Sequence, residues 1–181
     1  MFHPGPWPID LSVSNAIQSF QPAWLTKIVK IISFIVAPEF YSWIILIAVI
    51  WLWHKNFKHQ SWTIGALALG NASIPFLKWL FQRPRPSSTL VYVYQDIGLS
   101  SFPSGHAIAI VILLAILYVV VRDVCNKKIH PWVIIGGIVL GIFVGYCRIY
   151  IGVHWITDVM AGYIFGLLWV WAVFGIEKKL Q

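Results

Sequence analysis

The stretch CRIYIGVHWITD, residues 147–158, places polar residues between two strongly apolar segments. Ionisable groups at a membrane edge are energetically costly and usually mark a functional site. His154 and Asp158 are four residues apart, so a helix would place them one above the other on one face. The carboxylate could then hold one ring nitrogen by a hydrogen bond and leave the other free to react.

Small residues continue this row along the chain. Gly162 and Gly166 follow Asp158 at four-residue intervals. Small residues allow membrane helices to approach one another closely. We therefore expect this face to pack against a neighbouring helix, with His154 and Asp158 pointing into a helix bundle and not into lipid.

The composition is typical of an integral membrane protein. Hydrophobic residues make up 59% of the chain, charged residues 10%, and the mean hydropathy is +0.78. The 181 residues allow a single domain, residues 1–181. A net charge of +7 could indicate nucleic-acid binding in a soluble protein. Here the basic residues fall in short loops and motifs, which favours membrane orientation as their role and predicts no nucleic-acid partner.

The apolar pattern predicts an all-α, polytopic transmembrane helix bundle with five spans. Their apolar cores are residues 40–53, 61–81, 107–121, 132–146 and 159–176. Each core needs its flanking residues to cross, because a membrane-spanning helix requires about 20 residues. Pro75 predicts a kink in the second span.

The N-terminal region is predicted to differ from the bundle. Residues 1–22 read as an interfacial segment, with a short helix over residues 9–20 in which apolar and polar residues alternate. The apolar residues 23–37 contain Lys27 and Lys30. This second segment could cross the membrane, or lie in its surface as an interfacial or re-entrant helix.

Basic segments predict the orientation of the bundle. Residues 54–60, 122–130 and 177–181 are rich in Lys and Arg, and alternation of the spans places all three on one side. The positive-inside rule makes that side cytoplasmic, together with the C-terminus. Cys125 and Cys147 then lie on opposite sides and cannot form a disulfide.

Three short motifs converge on the opposite, extracytoplasmic surface. They are KWLFQRPRP at residues 78–86, PSGH at residues 103–106 and the stretch at residues 147–158. Their spacings, K-x6-R-P, P-S-G-H and R-x5-H-x3-D, resemble those of the type 2 phosphatidic acid phosphatase family, membrane relatives of the vanadium haloperoxidases. The resemblance covers residues 78–158. The third motif of the family usually begins with Ser, in a minor phosphate or packing contact, and Cys147 stands there in this chain.

The motif residues also suit phosphate chemistry on their own. A phosphate monoester carries up to two negative charges, which Lys78, Arg85 and Arg148 can neutralise. Ser104 stands where a helix is predicted to begin. The free N–H groups next to Gly105 would then form an anion-binding site.

His154, oriented by Asp158, is the candidate nucleophile, and His106 is placed to protonate the leaving oxygen. The resemblance implies the same roles, a phosphohistidine intermediate, no metal and no cofactor. A metal site formed by these three residues is an alternative, but the neighbouring Lys and Arg would repel a cation. Arg83 fits the motif spacing less well than Arg85 and is interpreted as a contact to lipid head groups.

The sequence thus predicts a bacterial lipid phosphatase of the cell membrane whose active site faces the extracytoplasmic side. Phosphatidylglycerol phosphate, phosphatidic acid and undecaprenyl diphosphate are all compatible substrates, with selectivity expected in residues 87–102 and in grooves between helices. The oligomeric state is left open. A lipid phosphotransferase with the same site is one alternative. A non-catalytic lipid-phosphate binding or transport protein is another, although binding alone would not require His106, His154 and Asp158.

Overall fold

The computed structural model describes residues 5–95 and 100–180. Within them, the regular secondary structure is entirely helical. The helices are α1 (Pro8–Gln18), α2 (Ala23–Ile35), α3 (Pro38–His54), α4 (Lys58–Ala72), α5 (Ile74–Phe81), α6 (Gly105–Val119) with a π-helical turn at Val120–Val124, α7 (Pro131–Tyr150) and α8 (Ile156–Leu180). The first four residues of the predicted interfacial segment, and residues 96–99 of the predicted selectivity loop, lie outside the described residues.

Four helical stretches are long and apolar enough to cross a membrane. They are Lys58–Phe81, Gly105–Val124, Pro131–Tyr150 and Ile156–Lys179, each of 20 to 24 residues. These lengths match the roughly 20 residues that a bilayer requires. The fifth predicted span corresponds to α3, which is apolar but shorter over Tyr41–His54. The all-helical membrane architecture is therefore confirmed, and the count of five spans stays a prediction.

The helix is interrupted close to the position of the predicted kink. The first long stretch breaks at Ser73, between α4 and α5, and Pro75 lies in the first turn of α5. Proline has no backbone N–H and its ring disfavours continuation of the preceding helix. The Ser73 hydroxyl donates to the carbonyl of Gly70, 2.7 Å away. The short helix that follows carries Lys78 on its last turn.

Helix α6 lies at the centre and packs against α4, α7 and α8. Its approach to α8 is close enough to exclude side chains. A Cβ atom on Gly162 would lie 2.6 Å from the Ser104 carbonyl oxygen, and one on Gly166 would lie 2.9 Å from Val111 Cβ. The predicted packing of this glycine row against a neighbouring helix is confirmed.

Helix α1 forms as the sequence indicates, but it is joined to the bundle by polar residues. It contacts α7 and α8. Its buried residues are Asp10 and Ser14, and Val13 and Ile17 pack partly buried against the core, whereas Ile9 is 54% exposed. The apolar pattern therefore predicted the helix but not the burial of its polar residues.

The basic segments meet at one end of the bundle, as alternation of the spans predicts. His59 Nε2 and Arg122 Nη2 lie 3.6 and 3.7 Å from the same Glu177 carboxylate oxygen. At the other end, side chains from all three motifs line a shared cavity.

Candidate active site

A cavity of about 540 Å³ brings motif residues together. Its apolar walls come mainly from α3, α4 and α5. The motif residues that line it are Lys78 from α5, Arg85 from the following loop, Gly105 and His106 from the start of α6, Arg148 from the last turn of α7, and His154 from the turn before α8. Three of these residues are cationic, and none of the described residues that line the cavity is an Asp or Glu.

The turn that carries His154 differs slightly from the prediction. Helix α8 begins at Ile156, so His154 precedes the helix and Asp158 lies in its first turn. His154 Nδ1 is nevertheless 3.6 Å from Asp158 Oδ2. The same oxygen accepts a hydrogen bond from the Trp155 N–H at 2.8 Å. The two side chains meet because the Asp158 carboxylate folds back over the helix start, and not because both lie on one helical face.

Burial lowers the pKa of His154 to about 4. Asp158 opposes this shift, while the positive charges of Arg148 and Arg85 add to it. The imidazole is therefore neutral near pH 7. Its proton is best placed on Nδ1, which faces the carboxylate, and Nε2 then carries a lone pair.

His106 is held by a helix outside the motifs. Its Nε2 lies 3.0 Å from the Ser33 carbonyl oxygen of α2. Since a carbonyl can only accept, Nε2 donates in this contact and Nδ1 is left for a ligand. Among the described residues, no group of three or more His, Cys, Asp and Glu side chains could hold a metal ion, and His106, His154 and Asp158 do not form such a group.

Ser104 stands immediately before α6, which begins at Gly105 as predicted. Its backbone N–H donates to the Asp158 carbonyl at 3.0 Å and so joins the second motif to the third. The hydroxyl is buried and makes no hydrogen bond with the described part of the chain, including the N–H groups that a helix cap would engage.

The two arginines of the first motif have different environments. Arg85 lines the cavity and donates from Nη1 to the Val153 carbonyl at 2.6 Å. Arg83 is 4% exposed, and its guanidinium lies 2.6 Å from Asp10 Oδ2 and 2.5 Å from Asp158 Oδ1. The interpretation of Arg83 as a head-group contact was wrong, because two buried carboxylates hold its charge inside the protein.

Asp10 is a site residue that the sequence analysis missed. Its Oδ1 accepts hydrogen bonds from the Thr157 N–H at 3.1 Å and hydroxyl at 2.8 Å, while Oδ2 binds Arg83. The N-terminal helix is thereby tied to the first turn of α8, next to Asp158. The sequence contained one signal for this residue, because Asp10 is the only acidic residue before Glu39.

Gly152 is a second missed residue. Its φ angle is +71°, and a Cβ atom there would lie 2.0 Å from the Tyr92 carbonyl oxygen. Only glycine fits a left-handed backbone in such close contact. The Tyr94 N–H donates to the Ile151 carbonyl at 3.0 Å beside it. This tight turn between α7 and α8 fixes the backbone two residues before His154.

Comparison with known proteins assigns the chain to a family. The model of the PAP2 superfamily matches residues 60–181, well over half of the sequence. The chain belongs to the PAP2 superfamily. That assignment agrees with the resemblance predicted from the three motifs.

The relatives of this PAP2 protein include lipid phosphatases. Phosphatidylglycerophosphatase B of Bacillus subtilis (strain 168) is 29% identical over 180 residues, covering 95% of this chain and 85% of the relative. The crystal structure of a transmembrane PAP2-type phosphatidylglycerolphosphate phosphatase from Bacillus subtilis has a TM-score of 0.82 at 26% identity, covering 95% and 86% of the two chains. Undecaprenyl-diphosphatase of Sulfolobus acidocaldarius is 39% identical over 66 residues, covering 36% of this chain and 28% of the relative. The chain is accordingly an integral membrane lipid phosphatase.

Proposed function

We propose that this PAP2 phosphatase hydrolyses a phosphate monoester or a terminal diphosphate of a lipid, releasing the terminal phosphate, through a phosphohistidine intermediate, at the extracytoplasmic face of the cell membrane. The observation that carries the proposal is the cavity in which three cationic side chains and two histidines meet at the end of apolar walls. This combination suits a ligand with an anionic head and an apolar tail.

Binding of the phosphate is assigned to the cationic end of the cavity. Lys78, Arg85 and Arg148 supply three positive charges against at most two on a phosphate monoester. Arginine can bind two phosphate oxygens at once through its planar guanidinium. The Ser104 hydroxyl and the Gly105 N–H add donors at the start of α6, since the N-terminus of a helix attracts an anion. These groups stabilise the charge that builds up on the equatorial oxygens in the transition state.

The histidines divide the chemistry. His154 Nε2 attacks phosphorus while Asp158 stabilises the proton on Nδ1, and the bond from phosphorus to the lipid oxygen breaks. His106, in its imidazolium form when the phosphate anion is bound, gives its Nδ1 proton to that oxygen while Nε2 keeps its proton toward the Ser33 carbonyl, and the oxygen leaves as an alcohol or as a lipid phosphate. Water then attacks the phosphohistidine, with His106 accepting a proton, and inorganic phosphate is released. These steps balance without a metal or cofactor.

The lipid tail is assigned to the apolar part of the cavity. Helix α3 contributes one wall, and we propose that it crosses the membrane as the fifth span. Its residues Trp43, Ile44 and Ile47 are 69%, 60% and 67% exposed, which suits contact with lipid. The names of the relatives favour phosphatidylglycerol phosphate and undecaprenyl diphosphate as substrates, and phosphatidic acid is chemically compatible.

Release of inorganic phosphate by the purified protein tests this proposal. We expect release from at least one lipid of a panel containing these three, in the presence of EDTA and with inhibition by vanadate. Transfer of the phosphoryl group to an added lipid alcohol would indicate a phosphotransferase instead. Binding without release would indicate a lipid-phosphate carrier, and loss on chelation restored by Zn²⁺ or Mg²⁺ would contradict the metal-free mechanism.

Orientation has a separate test at Cys125. This thiol is exposed and lies in the basic segment after α6, whereas Cys147 is buried, so a thiol reagent has one accessible target. We expect an impermeant maleimide to label Cys125 only after the cell membrane is permeabilised. A Cys125→Ser variant controls for labelling elsewhere. Labelling in intact cells would place the basic end outside and the active site in the cytoplasm.

A further inference from the structure

A second cavity, of about 550 Å³, adjoins the active site. It lies beside α2 and the loop that carries Tyr94. His106 and Arg148 line both this cavity and the one already described. The two cavities therefore meet at the proposed acid and at one of the phosphate-binding arginines. We call the second one the α2 cavity.

The α2 cavity offers donors for an anion. Lys30 and Arg148 bring positive charge, and no acidic side chain is among its described lining residues. The Lys30 ammonium lies 4.7 Å from the centre of the Tyr94 ring, a cation–π contact that holds it beside the cavity. Two positive charges that line a space of this size suit a small anionic group.

Ser33 gives an independent indication of a ligand. It lines the α2 cavity and is only 7% exposed, and its hydroxyl has no hydrogen-bond partner in the described part of the chain. Its carbonyl is already engaged by His106 Nε2. Buried polar groups are normally satisfied. A phosphate oxygen in the cavity would accept from this hydroxyl and pair with Lys30, which lies three residues earlier on the same face of α2.

We propose that the α2 cavity binds a second phosphate group. The inference rests on the proposed function, because it takes the leaving oxygen to be next to His106. The group attached to that oxygen begins where the two cavities meet, so a second phosphate on it can enter the α2 cavity while the lipid tail beyond it extends along the apolar walls of the first cavity. In a lipid diphosphate, or in a head group with both a phosphomonoester and a phosphodiester, that group includes a second phosphate. In a simple lipid monophosphate it does not. Inorganic phosphate, the product of the reaction, has the same chemistry, so the α2 cavity can also bind it after release.

Variants of Lys30 and Ser33 test this site. We would compare Lys30→Gln and Ser33→Ala with the wild type, using Lys27→Gln as the matched control. Lys27 lies on the same helix and is exposed, but it does not line the cavity. The measurements are kcat/KM on phosphatidylglycerol phosphate, a prenyl diphosphate and phosphatidic acid, and the inhibition constant for inorganic phosphate.

If the second phosphate belongs to the substrate, the ratio of kcat/KM for the two-phosphate lipids to kcat/KM for phosphatidic acid should fall about tenfold in Lys30→Gln, mainly through KM. We call this ratio the preference. It should fall by less in Ser33→Ala. If it is the released product, that preference should stay and the inhibition constant for phosphate should rise. Lys27→Gln should match the wild type in both. A wild-type preference and inhibition constant in Lys30→Gln and Ser33→Ala would overturn the second site. Absence of lipid hydrolysis by the wild type would instead overturn the proposed function.

Discussion

The two sides of His154 contain similar charged groups in opposite arrangements. On the closed side, Arg83 lies between the carboxylates of Asp10 and Asp158, and all three residues are at most 4% exposed. On the open side, the charged residues in the described lining of the cavity are Lys78, Arg85 and Arg148. On the closed side the charges are in direct contact with one another, whereas the open-side cations border a space that an anion can enter.

This difference shows that charge type does not reveal the role of a residue. Arg83 and Arg85 are separated by one proline, yet one holds helices together and the other faces the cavity. A buried ion pair adds little net stability, but breaking it leaves a charge without compensation and is strongly destabilising. A cation that meets the charge developing in a transition state acts on rate instead. Substitutions on the two sides should therefore differ in what they damage.

The largest effect is expected for His154, where the two sides meet. His154→Ala should abolish turnover of every substrate, because no other group is proposed to attack phosphorus. His106→Ala should depend on the leaving group. A lipid alkoxide needs a proton to leave, help typically worth about 10²–10⁴-fold, whereas nitrophenolate leaves without it. Measuring the activity of both variants on a lipid monophosphate and on p-nitrophenyl phosphate tests how far each variant depends on the leaving group.

Trapping of phosphohistidine provides the check on these roles. Acid-stable and base-stable phosphoenzyme can be distinguished after reaction with p-nitrophenyl phosphate, and the phosphohistidine species should vanish in His154→Ala and persist in His106→Ala. Persistent hydrolysis of the nitrophenyl ester by His154→Ala, with loss in His106→Ala, would mean that the two roles are exchanged.

The next largest effects should separate the two arginines. Arg85→Ala should lower kcat about 10²–10³-fold, the equivalent of roughly 2.7–4 kcal/mol of transition-state stabilisation, with a small change in thermal unfolding. Arg83→Ala should instead lower the free energy of unfolding by roughly 3–5 kcal/mol, because it leaves Asp10 and Asp158 buried without their counter-charge. Thermal unfolding midpoints in detergent, beside kcat, separate the two outcomes.

Because Arg83→Ala could prevent folding altogether, Arg83→Lys is the informative companion variant. It keeps the positive charge but loses the fork that reaches two carboxylates. It should fold with a lowered midpoint and retain more activity than Arg85→Lys. Equal midpoints for wild type and Arg83→Lys, together with a severe loss of kcat, would show that Arg83 acts on the chemistry directly.

The sequence predicted the open side well, for a physical reason. Phosphate binding requires particular side chains at particular spacings, so the motifs that include Lys78, Arg85, His106 and Arg148 are visible in the chain. The structure brings these four residues to one cavity. The helical spans were predictable because membrane crossing imposes length and apolarity on each helix.

The closed side was not predictable in the same way. Asp10 meets Arg83 across 73 positions of sequence, and no local pattern specifies such a pair. The apolar residues of α1 indicated a helix, and Val13 and Ile17 pack against the core, but nothing in the pattern marked Asp10 as buried. Likewise, the contact between His106 and the Ser33 carbonyl depends on how α2 docks, and main-chain contacts have no side-chain signature. Tertiary packing determines these interactions.

The smallest effect is expected from pH, and it tests how the two sides together set the state of His154. Burial and the open-side arginines lower its pKa to about 4, although Asp158 on the closed side opposes them. Between pH 7 and 5.5 the imidazole should stay neutral. The rate of phosphoenzyme formation from saturating p-nitrophenyl phosphate should then fall less than about twofold, whereas an imidazole with the ordinary pKa near 6.5 would lose roughly eightfold to tenfold. Rapid-quench measurement of the phosphoenzyme reports this step, and p-nitrophenyl phosphate removes the need for a proton from His106.

The same lowered pKa makes a control necessary. The unfolded chain binds the His154 proton more tightly than the folded protein, so stability declines as pH falls from about 6.5 toward 4. Activity should therefore recover fully when a sample held at pH 5.5 is returned to pH 7. A tenfold fall in phosphoenzyme formation by pH 5.5 in protein that recovers in this way would show that His154 titrates near its ordinary value. In that case the pKa of His154 would be set mainly by the Asp158 carboxylate on the closed side, and not by burial next to the open-side cations.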